Sequence, residues 1–311
     1  MHTCFLFPGQ GAQYPGMGKE LYDTHEEVRS LFELAADSSG RDVESLMFNA
    51  DEGELKETIN TQIVVTLMNL ALRRYLKKMG VESEGAAGFS LGEWSAYVDT
   101  GVLTEEQVFP LVIRRAELMA EAAEKQPKLK DGSAMAAVMG LDPQIVEETL
   151  SGMEDVYPAN YNSSVQTVIS GSAPAVESAG TALKEAGAKR VIPLKVSGPF
   201  HTPLLEAAAK GFAEYLGGYE FKRPTKPLYS NVSGSRVTEP EEIRRNASLQ
   251  IISPVRWKEE IHTIAAGDYE RCIECGPGKV LTGLWKKNDT PLTCIPADDA
   301  ANRENLILSQ K

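Results

Sequence analysis

The sequence predicts an α/β protein in which a parallel-sheet domain is interrupted by a small ferredoxin-like (βαββαβ) insertion. Short apolar strands alternate with amphipathic helices towards both ends of the chain, the pattern of a parallel sheet covered by helices. A composition break at Gln126-Pro127-Lys128-Leu129-Lys130-Asp131-Gly132 sets off a middle segment with its own pattern. That segment reads strand-helix-strand-strand-helix-strand. Finally, Gly88-Phe89-Ser90-Leu91-Gly92 puts a serine between two glycines where a small-residue run meets a helix-like run. This is the pattern of a sharp strand-to-helix turn.

In chain order, residues 3–7 form an apolar strand, followed by a glycine-rich loop over 9–18. A helix is expected over about 19–36. A stronger one spans 61–79, with Ile63, Leu67, Leu70 and Leu72 among its apolar positions and basic residues at its C-terminal end. Thr104-Glu105-Glu106-Gln107 is a capping box that opens a helix to about residue 124. Pro110 inside it should kink or adjust it. The insertion reads as strand 133–140, helix 142–150, strands 156–162 and 167–172, helix 173–186 and strand 189–196. Beyond it come a helix over 204–216, a strand near 227–232, a helix over 255–266, a strand over 269–274 and a helix over 279–287. The expected large domain therefore combines 1–128 with 198–311, and the small one is 129–197.

Composition excludes several function classes. The net charge of −12 argues against nonspecific nucleic-acid binding, which needs clustered Lys and Arg. An acidic partner would have to dock on a local patch such as Lys189-Arg190, Lys222-Arg223 or Lys286-Lys287. The first residues are broken too soon by Pro8 to read as a signal peptide. No apolar run reaches the about 20 residues that span a membrane. The expectation is a cytoplasmic protein with no membrane or nucleic-acid partner. Among the four cysteines, Cys272 and Cys275 have CxxC spacing. On a strand, residues three apart point to opposite faces, so their sulfurs should diverge and act as structural thiols.

Ser90 is the candidate nucleophile. The turn exposes its hydroxyl, and the helix N-terminus behind it suits a developing oxyanion. A serine needs a base. Of the four histidines, only His201 lies in a glycine/proline turn, Gly198-Pro199-Phe200-His201-Thr202-Pro203, where the insertion returns to the large domain. Interdomain junctions are where clefts form. No Asp stands out as a triad acid, and a backbone carbonyl can orient the imidazole instead. The Leu91 N–H is one oxyanion donor by position. The Gly9-Gln10-Gly11 loop offers Gln10 as the second, with a phosphate or dinucleotide loop as the competing reading. Arg115 falls four residues from both Leu111 and Met119, on the inward face of its helix. A buried guanidinium is costly unless an anion pairs with it. Arg115 is thus either half of an internal salt bridge or an anchor for a substrate carboxylate.

Together these residues resemble the malonyl-CoA:acyl carrier protein transacylases, the acyltransferase family of fatty-acid and polyketide synthesis. Phe7-Pro8-Gly9-Gln10-Gly11-Ala12-Gln13 looks like the family's oxyanion loop, and Gly88-Phe89-Ser90-Leu91-Gly92-Glu93 like its nucleophile motif. Arg115 falls where the family places its malonate-binding arginine. Ser197-Gly198-Pro199-Phe200-His201 matches the catalytic-histidine turn. Gln250 matches the glutamine whose main-chain carbonyl holds that histidine, and Glu274-Cys275-Gly276-Pro277-Gly278-Lys279-Val280-Leu281 matches the C-terminal motif. The resemblance implies an α/β-hydrolase-like core and ping-pong transfer of malonyl from malonyl-CoA to acyl carrier protein, with no metal or cofactor. A free-standing monomer docking its carrier near Lys189 and Arg190 is the expectation. Phe89 departs from the usual histidine before the serine, and Trp94 stands where tyrosine is common. Phe200 resembles malonyl-selective members, because its ring would crowd a C2 methyl. A serine hydrolase or thioesterase, and a noncatalytic carrier-protein or nucleotide-binding module, are the competing readings.

Overall fold

The computed structural model describes residues 1–194 and 198–309. Its strands are β1 (Thr3–Phe7), β2 (Gly85–Gly88), β3 (Ser133–Met139), β4 (Val156–Ser163), β5 (Gln166–Ser172), β6 (Arg190–Leu194), β7 (Leu228–Ser230), β8 (Ser235–Val237), β9 (Arg271–Glu274) and β10 (Thr293–Pro296). The larger sheet has the order β10-β9-β1-β2-β7-β8. Its first five strands are parallel and β8 is antiparallel at the edge. The smaller sheet, β4-β5-β3-β6, is antiparallel throughout. With helices Pro143–Leu150 and Ala173–Glu185 it makes the expected βαββαβ unit.

Burial on both faces explains the uninterrupted apolar sequence of β1. Phe5 and Phe7 enter the main core beneath helix Thr58–Lys78, while Cys4 and Leu6 face a second core around Trp257 and Trp285. β2 reads Gly-Ala-Ala-Gly because helices and loops press close on it. A Cβ on Gly92, at the start of helix Gly92–Asp99, would lie 1.9 Å from the Phe7 carbonyl oxygen. One on Gly88 would lie 2.1 Å from the Gly92 carbonyl carbon. Only hydrogen fits at either place, so the helix can descend directly onto the sheet. Phe7 is in register with Gly88, which brings the loop after β1 beside the turn after β2. These turns open at the carboxyl ends of the parallel strands, where ligands bind in such sheets.

The insertion buries Val138, Val146, Ile169, Val176 and Leu183 under its own helices. Its other face, carrying Met135, Ala137 and Val168, turns towards the large sheet. Main-chain bonds join the two units: Tyr161 N–H to Val255 O and Val255 N–H to Ala159 O, each at 2.9 Å. Asn288 Nδ2 adds a bond to Asn162 O at 2.8 Å.

Several elements differ from expectation. The single helix expected over 19–36 is two, Lys19–Thr24 and Glu26–Ser39, broken at an extended His25. The His25 N–H donates to Leu21 O at 3.0 Å and Arg29 Nη1 donates to Tyr22 O at 2.9 Å, so carbonyls of the last turn of the first helix are capped from the second. Pro110 does not break helix Glu105–Lys125. The carbonyl it deprives of a donor belongs to exposed Glu106, within reach of water. Helices Val43–Phe48, Glu52–Lys56, Pro240–Leu249 and Ala300–Leu308, and strands β8 and β10, were not anticipated. The expected extension of β6 to Val196 lies outside the described residues, as does Ser197.

The Cys272 and Cys275 side chains do diverge. Cys272 joins Cys4 and Cys294, in register across β1, β9 and β10, in the second core, while Cys275 enters the main core. Among the described residues, no three His, Cys, Asp or Glu are grouped to hold a metal, and no helix is long and apolar enough to cross a membrane. Gly92→Ala should destabilise the fold by about 1–3 kcal/mol through overpacking against the Phe7 carbonyl. Denaturant unfolding would show this as a lower midpoint with an unchanged slope.

Candidate active site

Ser90 has φ 52° and His201 has φ 61°, both in the left-handed region that non-glycine residues rarely occupy. Each is held there by specific bonds. Asn231 Oδ1 accepts the Ser90 N–H at 2.6 Å, and Asn231 Nδ2 donates to Gly88 O at 2.7 Å. One amide therefore grips the turn on both sides. The His201 N–H donates to Ile251 O at 3.0 Å. The strained backbone aims the two side chains at each other: Ser90 Oγ lies 2.7 Å from His201 Nε2.

On its other side the imidazole Nδ1 lies 2.7 Å from Gln250 O. A carbonyl only accepts, so Nδ1 carries the proton and Nε2 is left as the acceptor for the serine hydroxyl. Burial holds the His201 pKa down at about 4, helped by the Arg115 charge and opposed by the Gln250 bond. The ring is neutral at pH 7 and can accept a proton.

The glycine-rich loop after β1 passes directly behind the turn. A Cβ on Gly9 would lie 2.4 Å from Phe89 O and 3.4 Å from the Leu91 nitrogen. Asn69 Nδ2, from helix Thr58–Lys78, fixes this loop through Pro8 O at 3.0 Å. Neither the Gln10 N–H nor the Leu91 N–H has an acceptor among the described residues. Both are free to point at a developing oxyanion.

Arg115 is 2 % exposed. Its Nη1 donates to Gln62 Oε1 at 2.9 Å and its Nη2 to Gln250 Oε1 at 3.0 Å, while Nε is buried with no acceptor. No carboxylate among the described residues lies within ion-pair distance of it, so the internal salt-bridge alternative fails. Burial lowers its pKa to about 10, against the pull of the Glu93 charge, which leaves it protonated at neutral pH. A buried cation cradled by two neutral amides is prepared for an anion from outside.

These residues line one cavity of about 180 Å³ between the two sheets. Gln10, Gln62, Ser90, Arg115, Phe200 and His201 form one wall, and Met135, Asn160, Asn162 and Val168 of the small sheet the other. Phe89 fills its place with a ring rather than a polar group and packs edge-on against Trp257, with centroids 5.4 Å apart. A larger hollow of about 660 Å³ alongside is lined by Glu57, Glu117, Glu121 and Glu124 and contains neither Ser90 nor His201.

Sequence reasoning missed Gln62 and Asn231. Gln62 left a faint signal, since with Thr66 and Asn69 it puts a polar line at i, i+4 and i+7 along a largely apolar helix. Asn231 left none, because its role depends on β7 lying beside β2.

An acyl transferase domain model matches residues 4–290. The malonyl CoA-acyl carrier protein transacylase of Bacillus subtilis is 39% identical over 99% of this chain and 97% of its own. The chain belongs to the malonyl CoA-acyl carrier protein transacylase family. Among solved structures, an acyl carrier protein S-malonyltransferase from Vibrio cholerae superposes with a TM-score of 0.92 at 36% identity, covering 98% of this chain and 100% of that one. A malonyl-transacylase solved in complex with its type II PKS acyl-carrier protein also has a TM-score of 0.92 at 36% identity, over 99% and 100% of the two chains. The described fold is thus the acyltransferase fold that the sequence motifs implied.

Because His201 must be neutral to accept the serine proton, labelling of Ser90 by a sulfonyl fluoride should persist to pH 5 and halve only near pH 4. Arg115→Ala should move that midpoint upwards, since the guanidinium charge contributes to the lowering. A rate-against-pH series from 3.5 to 8 measures both.

Proposed function

We propose that this acyltransferase moves the malonyl group of malonyl-CoA to the phosphopantetheine thiol of acyl carrier protein by a ping-pong route through a malonyl-Ser90 ester. His201 Nε2 takes the Ser90 proton as Oγ attacks the thioester carbonyl carbon. The oxyanion is held by the Gln10 and Leu91 N–H groups. Collapse breaks the carbon–sulfur bond, and the CoA sulfur leaves with the proton from His201. In the second half the carrier thiol gives its proton to His201, attacks the ester, and restores the Ser90 hydroxyl. The Gln250 carbonyl keeps the imidazole in one tautomer throughout. No metal or cofactor is required.

Arg115 carries the substrate assignment. Its guanidinium opens into the cavity that holds Ser90 and His201, and its partners there are amides rather than acids. A malonyl carboxylate supplies the directly bonded anion that these amides do not. The Phe200 ring lines the same cavity and disfavours a methyl at C2. The names of the relatives support the same substrate pair. Exposed Lys189 and Arg190, where β6 begins, are the proposed cations for the acidic carrier. The same reading makes the enzyme a cytoplasmic monomer.

Brief exposure to malonyl-CoA should add one malonyl mass to the intact protein and none to Ser90→Ala. Added carrier thiol should remove the label as malonyl-carrier. Loss of the label as free malonate, at the same rate without a thiol, would instead identify a hydrolase. Arg115→Ala should lower kcat/KM for malonyl-CoA by about 10² or more while affecting acetyl-CoA far less, because it removes charge-assisted bonds that only malonyl makes. Competition between the two thioesters in steady-state assays measures that ratio.

A further inference from the structure

The proposed anchor already faces a charge of opposite sign. Gln250 Oε1 accepts from Arg115 Nη2, and Gln250 Nε2 donates to Glu93 Oε2 and, at 3.0 Å, to Ser90 O. Arg115 can only donate and the Ser90 carbonyl can only accept, so this amide has one orientation. A single neutral side chain therefore stands between a buried guanidinium and a buried carboxyl, and acyl transfer leaves that carboxyl unused. We infer that Glu93 is the resident counter-charge of Arg115, and that docking a malonyl carboxylate on Arg115 makes Glu93 take up a proton from solvent. The inference rests on the reading of Arg115 as the malonyl anchor.

The reason is electrostatic. Two anions sharing one enclosed cation repel each other where little water screens them, and the one that can be protonated yields. Glu93 is suited to yield. Burial raises its pKa to about 7, although hydrogen bonds from Gln250 and Asn231 pull it back. The groups that face it are Arg115 from helix Glu105–Lys125, Glu260 from helix Trp257–Ala265, and Tyr97 on its own helix, with neutral Ser230, Asn231 and Gln250 between them. Asn231 bridges the two acids, giving its N–H to Glu93 Oε1 at 3.3 Å and its Nδ2 to Glu260 Oε1 at 2.7 Å. Burial, and then the Glu93 charge, push Glu260 well above the usual carboxylate range. The Tyr97 phenol is pushed higher still and stays neutral, and His201 at about 4 is neutral too. Glu93 is the acid of this cluster that Gln250 joins directly to Arg115. It acts through Gln250 and is a positioning residue.

Proton uptake and malonyl binding must then be linked reciprocally. Above pH 7 the KM for malonyl-CoA should rise, by up to about tenfold per pH unit. Acetyl-CoA carries the same nucleotide and no carboxylate, and its KM should not follow. Glu93→Gln copies the uncharged carboxyl and should flatten the malonyl profile while leaving the acetyl profile as it was. An unchanged malonyl slope in the variant, or no slope in the wild type, overturns the inference. Calorimetry covers the case of a variant that fails to fold. Ser90→Ala is titrated with each thioester at pH 7 in two buffers of different ionisation enthalpy. Malonyl-CoA should take up about half a proton more than acetyl-CoA, and equal counts overturn the coupling. Arg115→Ala separates this from the anchor itself. If that variant keeps its preference for malonyl over acetyl, the anchor reading fails. If it loses the preference but the proton counts are equal, only the Glu93 coupling fails.

Discussion

Everything at this site depends on how closely helix Gly92–Asp99 descends onto the end of β1. The contact between the Gly92 α-carbon and the Phe7 carbonyl leaves no space for a side chain. It fixes the angle at which the chain turns after β2, and so forces Ser90 into the left-handed backbone region. The glycine-rich loop, running behind the turn at Gly9, comes into place by the same approach. Packing at the sheet end thus sets the Ser90 hydroxyl and the two free N–H groups together, before any side-chain chemistry is considered.

A second organising element is Gln250, whose three polar ends face three different parts of the machinery. Its carbonyl orients His201, its side-chain oxygen holds Arg115, and its side-chain nitrogen reaches Ser90 and Glu93. Since one residue spans His201, Ser90 and Arg115, movement of its turn alters all three at once. The Gln250 N–H to Asn246 O bond at 2.8 Å and the His201 N–H to Ile251 O bond at 3.0 Å keep that turn fixed.

Much of this was legible in the sequence because local chemistry dictated it. The Gly-x-Ser-x-Gly turn, the capping box at Thr104 and the inward phase of Arg115 are short-range signals, and the structure bears out each as a local feature. The βαββαβ order was readable for the same reason, with turn residues and alternating strands marking every element. What escaped was short or non-local. β8 and β10 are 3 and 4 residues long, too brief for periodicity to register. The break at His25 depends on Arg29 reaching back to cap the preceding helix. Asn231 reaches the turn only because β7 pairs with β2, a neighbour relation that no local pattern reports.

The placement of the sulfur atoms has a chemical consequence. All four cysteines are free and enclosed, and burial drives the thiols of Cys272, Cys275 and Cys294 well above their ordinary ionisation range. A catalyst that handles thioesters is exposed to self-acylation by its own sulfhydryls, because any accessible thiolate would compete as a resting place for the acyl group. Keeping these three sulfurs protonated, and all four out of contact with the cleft, removes that competition.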